Sequence, residues 1–230
     1  MKTKNVFMTC VWKDLIMSTF EVDKAILIPY LPVDTELDLY KGKAILSLVA
    51  FTFSNVEFFG LKVPFHQNFG QINFRFYAKS KIDGSRGVVF IREFAPKHLI
   101  AFVGNKFYNE PYFFKSIRLE KHHKNNNVQM SYKYKNSTIK VFASNLTEDL
   151  KKNTLKHFVV DRYIAFIKTK KRKSLRYNIY HKPWKTQQIK NWHIDNDILK
   201  LLPPDFKNLK HLSTYLVNGS QVKVEKGMML

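Results

Sequence analysis

Cysteine occurs once in the 230 residues, at Cys10. A single thiol forms no internal disulfide, and it rules out a Cys-x-x-Cys redox or metal pair. Glycine and proline number eight each and lie scattered. No Gly/Ser-rich or Pro-rich linker divides the chain, and no internal repeat is seen. Phosphate-cradling glycine loops, dinucleotide fingerprints and nucleophile elbows are all missing. His122, His123, His193 and Asp195 form no HxxH or HExxH pattern, so no metal site is expected. Long apolar runs are also lacking. The longest, Ala44 to Phe53, is about half of the ~20 residues a membrane helix requires. The apolar run in the N-terminal MKTKNVFMTCVWKD is too short for a signal peptide and is broken by Lys13 and Asp14. These absences lead us to expect a soluble cytoplasmic protein with no membrane association and no cofactor.

Acidic residues are scarce too: 18 Asp and Glu against 39 Lys and Arg, a net charge of +21. Residues 1–110 hold 14 basic and 10 acidic side chains, a net of +4, and residues 111–230 hold 25 and 8, a net of +17. Such a field attracts polyanions, so residues 111–230 are a candidate nucleic-acid-binding surface. The plain alternative is a lysine coat that keeps the protein soluble and blunts sheet edges. The basic segments KHHKNNN and KTKKRKSLR match no helix-turn-helix, KH or ribonucleoprotein signature.

Apolar residues make up 45 % and aromatic residues 15 %, enough to build a core without disulfide or metal. The pattern is mostly that of strands. Val11 to Glu21 reads as a strand, followed by a short helix over Lys24 to Tyr30 that Asp23 caps. AILSLVAFTF predicts a strand buried on both faces. From Gln71 to Lys79, Ile72, Phe74 and Phe76 alternate with Asn73, Arg75 and Tyr77. Asp83-Gly84 marks a hairpin turn into the strand Val88 to Ile91. After Pro96, apolar residues at Leu99, Phe102, Val103 and Phe107 give a helix that Pro111 ends.

Beyond Phe113 short alternating runs dominate. Thr147 to Val160 is expected to hold one or two short helices, with Thr147 as a cap. RYIAFIKT and SLRYNIYH form a hairpin around Lys170 to Lys173, TQQIKNWHI is a further strand, and Asn218-Gly219 turns a terminal hairpin. Together these predict one mostly-β (α+β) domain over residues 1–230 with a few helices packed on it. Homo-oligomerisation is left open.

The stretch Arg86 to Tyr112 carries the candidate chemistry. Pro96 suits a first helical position, which sets Lys97 and His98 in the first turn. The positive end of a helix dipole, with Arg92 nearby, disfavours a protonated amine and frees a lysine for attack on a carbonyl. Glu93 is a candidate proton relay. The alternative is an exposed lysine at an ordinary helix start, with Glu93 pairing a cation. Arg92 is a candidate for ligand binding through its positive charge, His66 for a cavity mouth, and His181 and Trp184 for its wall. A structural loop histidine and a strand end packed by a Trp are the alternatives for these.

Three ordered stretches resemble the YqjF-like family of uncharacterised bacterial proteins, related to acetoacetate decarboxylase. They are VWKDLIMSTFEVD through LIPYLP to ELDLYKGKAILSLVAF, then RGVVFIREFAPK with YNEPY, then FVVDRY with SLRYNIYHKPW. The resemblance implies a double-layered, cone-shaped β-barrel with an internal cavity and peripheral helices. It also implies a Schiff-base lysine at Lys97, with His98 on the neighbour that lowers its pKa. Acetoacetate decarboxylase is itself the known case of a lysine activated by a cationic neighbour, so this mechanism comes from the resemblance alone. An imidazole perturbs an amine less than a second ammonium does. Ser47 stands near a position where the decarboxylases carry a cavity glutamate, and the spacing from Arg92-Glu93 to Pro96-Lys97 is one residue shorter. The sequence thus leads to a protein that binds a small oxo- or carboxylate-bearing ligand, with polyanion binding and Schiff-base decarboxylation as the alternatives.

Overall fold

A computed structural model describes residues 5–62, 68–95, 112–169 and 173–230. Strands account for 64 % of the described residues. In chain order they are β1 (Val6–Val22), β2 (Thr35–Leu37), β3 (Ala44–Phe58), β4 (Leu61–Lys62) and β5 (Phe69–Ser80). Next come β6 (Arg86–Ala95), β7 (Tyr112–Phe114), β8 (Arg118–Lys124), β9 (Asn127–Tyr134) and β10 (Ser137–Glu148). The last are β11 (Ile164–Lys168), β12 (Ser174–His181), β13 (Thr186–Ile194), β14 (Lys210–Glu225) and β15 (Met228–Met229).

The sheet order runs β12-β11-β6-β5-β3-β1-β14, and β14 pairs back onto β12. Those strands therefore close a ring. Closure rests on three residue pairs, Ile179 with Val224, Tyr180 with Lys223 and His181 with Val222. Beyond β14 the sheet continues as β13-β10-β9-β8 and folds over the outside of the ring. Alternation then sorts side chains into two cores. Leu46, Leu48 and Ala50 of β3 and Ile72, Phe74 and Phe76 of β5 point outward, against Met130, Tyr132 and Val141 of the covering layer. Val49, Phe51 and Phe53 of β3 and Tyr77 of β5 point into the ring. Because both faces are covered, β3 and β5 are buried throughout most of their length, as expected for AILSLVAFTF.

Two glycines let the ring close tightly. A Cβ on Gly87 would sit 2.7 Å from the Ile164 carbonyl oxygen, where β6 meets β11 in parallel. At Gly219 φ is +74°, and a Cβ would lie 2.0 Å from the Trp12 oxygen. This corrects the expected terminal hairpin: Asn218-Gly219 makes no turn, and β14 runs unbroken from Lys210 to Glu225. Glycine here allows a kink opposite the irregularity between Lys13 and Ile16 of β1 rather than a reversal.

The Lys24–Tyr30 helix is found as an α-turn, Lys24–Leu27, passing into a 3-10 turn, Ile28–Tyr30. Pro29 has no N–H to continue the α pattern. Asp23 caps it as expected, accepting from the Ala25 N–H at 2.9 Å. Thr147 caps nothing; it lies within β10. The helix in that region is Leu155–Val160, capped by Thr154, whose Oγ1 accepts from the His157 N–H at 3.2 Å. The helix expected after Pro96 lies outside the described residues.

Asp38 ties three elements together beside this helix. Its carboxylate accepts from Arg86 Nε at 2.7 Å and Nη2 at 2.8 Å, and from Arg162 Nη2 at 3.1 Å. The Arg162 side chain is buried, stacks 4.5 Å from the Phe158 ring centroid and is pulled down to a pKa of about 10 by that burial. Removing the carboxylate would leave a buried cation without its anion. We expect Asp38→Asn to lower the unfolding free energy by roughly 3–5 kcal/mol in urea denaturation; a loss below about 1 kcal/mol would contradict this role.

Candidate functional site

Inside the ring lies a cavity of about 100 Å³, several times the ~10–15 Å³ that a cavity needs to hold one water. Most of its wall is apolar. Trp12 meets Phe51 and Phe53 edge-on with centroids 5.5 and 5.8 Å apart, and Phe53 stacks on Phe69 at 4.8 Å. One wall differs in chemistry. Gln71, Asn73 and Arg75 alternate along β5 and face inward, and Glu93 of β6 stands directly opposite Asn73. All four are buried, with exposures of 1 %, 3 %, 8 % and 2 %.

Local pairing places them there. A register irregularity between Phe74 and Arg75 offsets β6, which puts Glu93 inward and Arg92 on the other face. Gln71 Nε2 donates to Glu93 Oε2 at 2.7 Å, which fixes the amide orientation. Arg75 Nη2 donates to the Val159 carbonyl at 3.0 Å, in the last turn of the helix Leu155–Val160. Tyr77 Oη reaches the same carbonyl at 3.2 Å. A cation at a helix C-terminus is favourable, and the otherwise unpaired carbonyl is satisfied. Among the described residues Gln71 Oε1, Asn73 Oδ1 and Arg75 Nε find no hydrogen-bond partner. Leaving such an atom unpaired costs about 1–3 kcal/mol. No ion pair joins Arg75 to Glu93 among the described residues.

Of the residues that the sequence singles out, Glu93 and Trp184 line this cavity. Trp184 donates its indole N–H to Ser220 Oγ at 2.9 Å and stacks on His181 at 4.0 Å. His181 does not line the cavity; it sits behind Trp184, between that ring and Tyr163 at 4.4 Å. Arg92 points away, donating to the Leu201 carbonyl at 2.8 Å and lying over Phe113. Ser47 is buried on the inward face of β3, where its hydroxyl meets Tyr77 Oη at 2.6 Å. Lys97, His98 and His66 lie outside the described residues. Gln71, Asn73 and Arg75 are site residues that the sequence reading misses. Their signal is polar residues alternating with aromatics in a strand whose flanking strand is apolar on both faces. Among the described residues no cluster of His, Cys, Asp and Glu could hold a metal, and no helix is long and apolar enough to cross a membrane.

His181 gives the wall a pH dependence. Its ring nitrogens meet the Lys182 and Arg162 carbonyls at 2.8 and 3.3 Å, yet burial outweighs them and lowers its pKa. The folded state therefore favours the neutral ring. That contribution is complete above the unfolded value near ~6.5 and is lost as pH falls through the lower folded value. His211, also lowered by burial, acts in the same direction. We expect thermal stability to decline from about pH 7 to about pH 5, and His181→Phe to decline less steeply. Parallel pH profiles for the two proteins would exclude His181 as a source.

Comparisons with known proteins agree with this architecture. The family described as an uncharacterized conserved protein, DUF2071, matches residues 9–215. The uncharacterized protein YqjF of Bacillus subtilis is 28 % identical over 183 residues, covering 76 % of this chain and 73 % of its own. Among solved structures, acetoacetate decarboxylase of Legionella pneumophila superposes with a TM-score of 0.64 at 11 % identity, over 97 % of this chain and 87 % of the other. The enduracididine biosynthesis enzyme MppR, complexed with pyruvate, gives 0.64 at 10 % identity, over 96 % and 90 %. An acetoacetate decarboxylase-like enzyme of Sphingomonas wittichii gives 0.61 at 12 %, over 97 % and 92 %. The fold is that of the acetoacetate decarboxylase-like proteins, as the sequence resemblance implied. With the match spanning most of its length, the chain belongs to the DUF2071 family.

Proposed function

We propose that the ring cavity binds a small organic carboxylate, with Arg75 as its anchor. The observation that carries this reading is the guanidinium of Arg75. It is buried in the cavity wall, with Nε unpartnered and Nη2 held by Val159. Its carboxylate neighbour across the hairpin, Glu93, is not its ion-pair partner, so a ligand anion would supply the missing charge. The aromatic walls would bury the ligand's carbon atoms and exclude water. A protein of the same fold holds pyruvate, which supports the ligand class.

Isothermal titration with pyruvate and with acetoacetate tests the anchor. We expect saturable binding, weakened at least ~10-fold in Arg75→Met, the loss of one hydrogen bond to a charged group. Equal binding by Arg75→Met, in a variant of unchanged circular dichroism, rejects Arg75.

For oxo ligands we further propose Lys97 as the nucleophile. Its amine would attack the ligand carbonyl and expel water to form an imine. Lys97 follows the end of β6 by two positions in sequence, the same strand that carries Glu93. Borohydride with bound pyruvate is expected to leave a stable adduct on the peptide containing Lys97. Recovery of that peptide unmodified at saturating pyruvate excludes imine chemistry and leaves the binding proposal intact.

A further inference from the structure

The cavity wall has two chemically different ends. At the Arg75 end the unpartnered atom is a donor, Nε. At the Gln71 end it is an acceptor, Oε1. The identity of that acceptor is not open to an amide flip, because Gln71 Nε2 is committed to Glu93 Oε2 at 2.7 Å. Between the two lies Asn73 Oδ1, a second unpartnered acceptor, with the Glu93 backbone opposite it in the neighbouring strand. Gln71 and Arg75 are four residues apart on one strand face, so their Cα atoms are separated by about 13 Å at ~3.3 Å per residue. Arg75 shares the Val159 carbonyl with Tyr77, two positions further from Gln71, so its side chain does not lean toward Gln71 and two substituents on a single ligand carbon would not bridge the gap. A ligand that satisfies both ends must be extended.

We infer that this cavity selects a linear carboxylate carrying a hydrogen-bond donor at its far end, an ω-amino acid of about four to five carbons. The inference rests on the carboxylate reading given above and adds the second end. The carboxylate takes the Arg75 end. The distal ammonium donates to Gln71 Oε1, beside the carboxyl group of Glu93, and the methylene stem lies against Phe51, Phe53 and Trp12. A simple fatty or oxo acid would leave Gln71 Oε1 buried and unpaired. A site with a built-in hydrogen-bond partner discriminates strongly against analogues that lack the matching group.

Three probes of nearly equal size decide it by isothermal titration with the full-length protein: 5-aminopentanoate, its isomer 2-aminopentanoate, and pentanoate. We expect 5-aminopentanoate to bind at least ~10-fold more tightly than either of the others, the worth of one well-formed hydrogen bond to a charged group. In Gln71→Leu that advantage over pentanoate is expected to fall below about twofold. Pentanoate binding as tightly as 5-aminopentanoate overturns the inference while leaving the carboxylate reading in place. A preference for 2-aminopentanoate overturns it in the same way, by locating the donor beside the carboxylate. Binding of none of the three overturns the inference, and the pyruvate titration decides the carboxylate reading separately. Should Gln71→Leu fail to fold, the comparison of probes on the unaltered protein decides alone.

Discussion

Ring closure by the pairing of β12 with β14 is the constraint on which the rest of the structure depends. Three residue pairs turn a sheet with two ends into an enclosure, and enclosure decides what each strand face means. In an open antiparallel sheet, the face of β5 that carries Gln71, Asn73 and Arg75 would be solvated, and its polar residues would need no explanation. Inside the ring the same alternation buries four polar side chains among aromatics. The outer layer of β8, β9, β10 and β13 buries the opposite face and completes the second core. The polar interior is thus a product of topology acting on an ordinary two-residue period.

Much of this was legible in the sequence. Strand alternation located most of the elements, because a two-residue period in short runs bounded by Asn, Asp and Gly has few other readings. Asp23 worked as a cap since its side chain competes for the very N–H groups a helix start leaves unpaired. The errors have physical causes. Asn218-Gly219 has the composition of a turn, yet a glycine with positive φ serves a kink in a continuous strand as well as a reversal. Thr147 and Thr154 are equivalent as caps by composition, and only strand pairing of residues 137–148 separates them.

The candidate site was legible in part. Glu93 stood out through its place next to the break at Pro96, and Trp184 through its chemistry. The position of Arg92 beside Glu93 suggests that both face the interior, but neighbouring residues on a strand face opposite ways. Arg75 and Gln71 escape notice because their local pattern is that of any amphipathic strand. What marks them is burial, a property of seven strands together that no window of one strand contains.

The bond from Arg75 to the Val159 carbonyl has a consequence for the energetics of recognition. A free arginine side chain surrenders rotamer entropy when it engages a ligand, a cost of about 0.5–1.5 kcal/mol for a flexible side chain. Here that ordering is completed during folding, by a helix end that needs a donor for its own reasons. A ligand bound as proposed would meet a guanidinium already aimed, so folding and recognition would draw on the same immobilised group. Affinity at this wall would then be coupled to how well the six-residue helix Leu155–Val160 is held in its place.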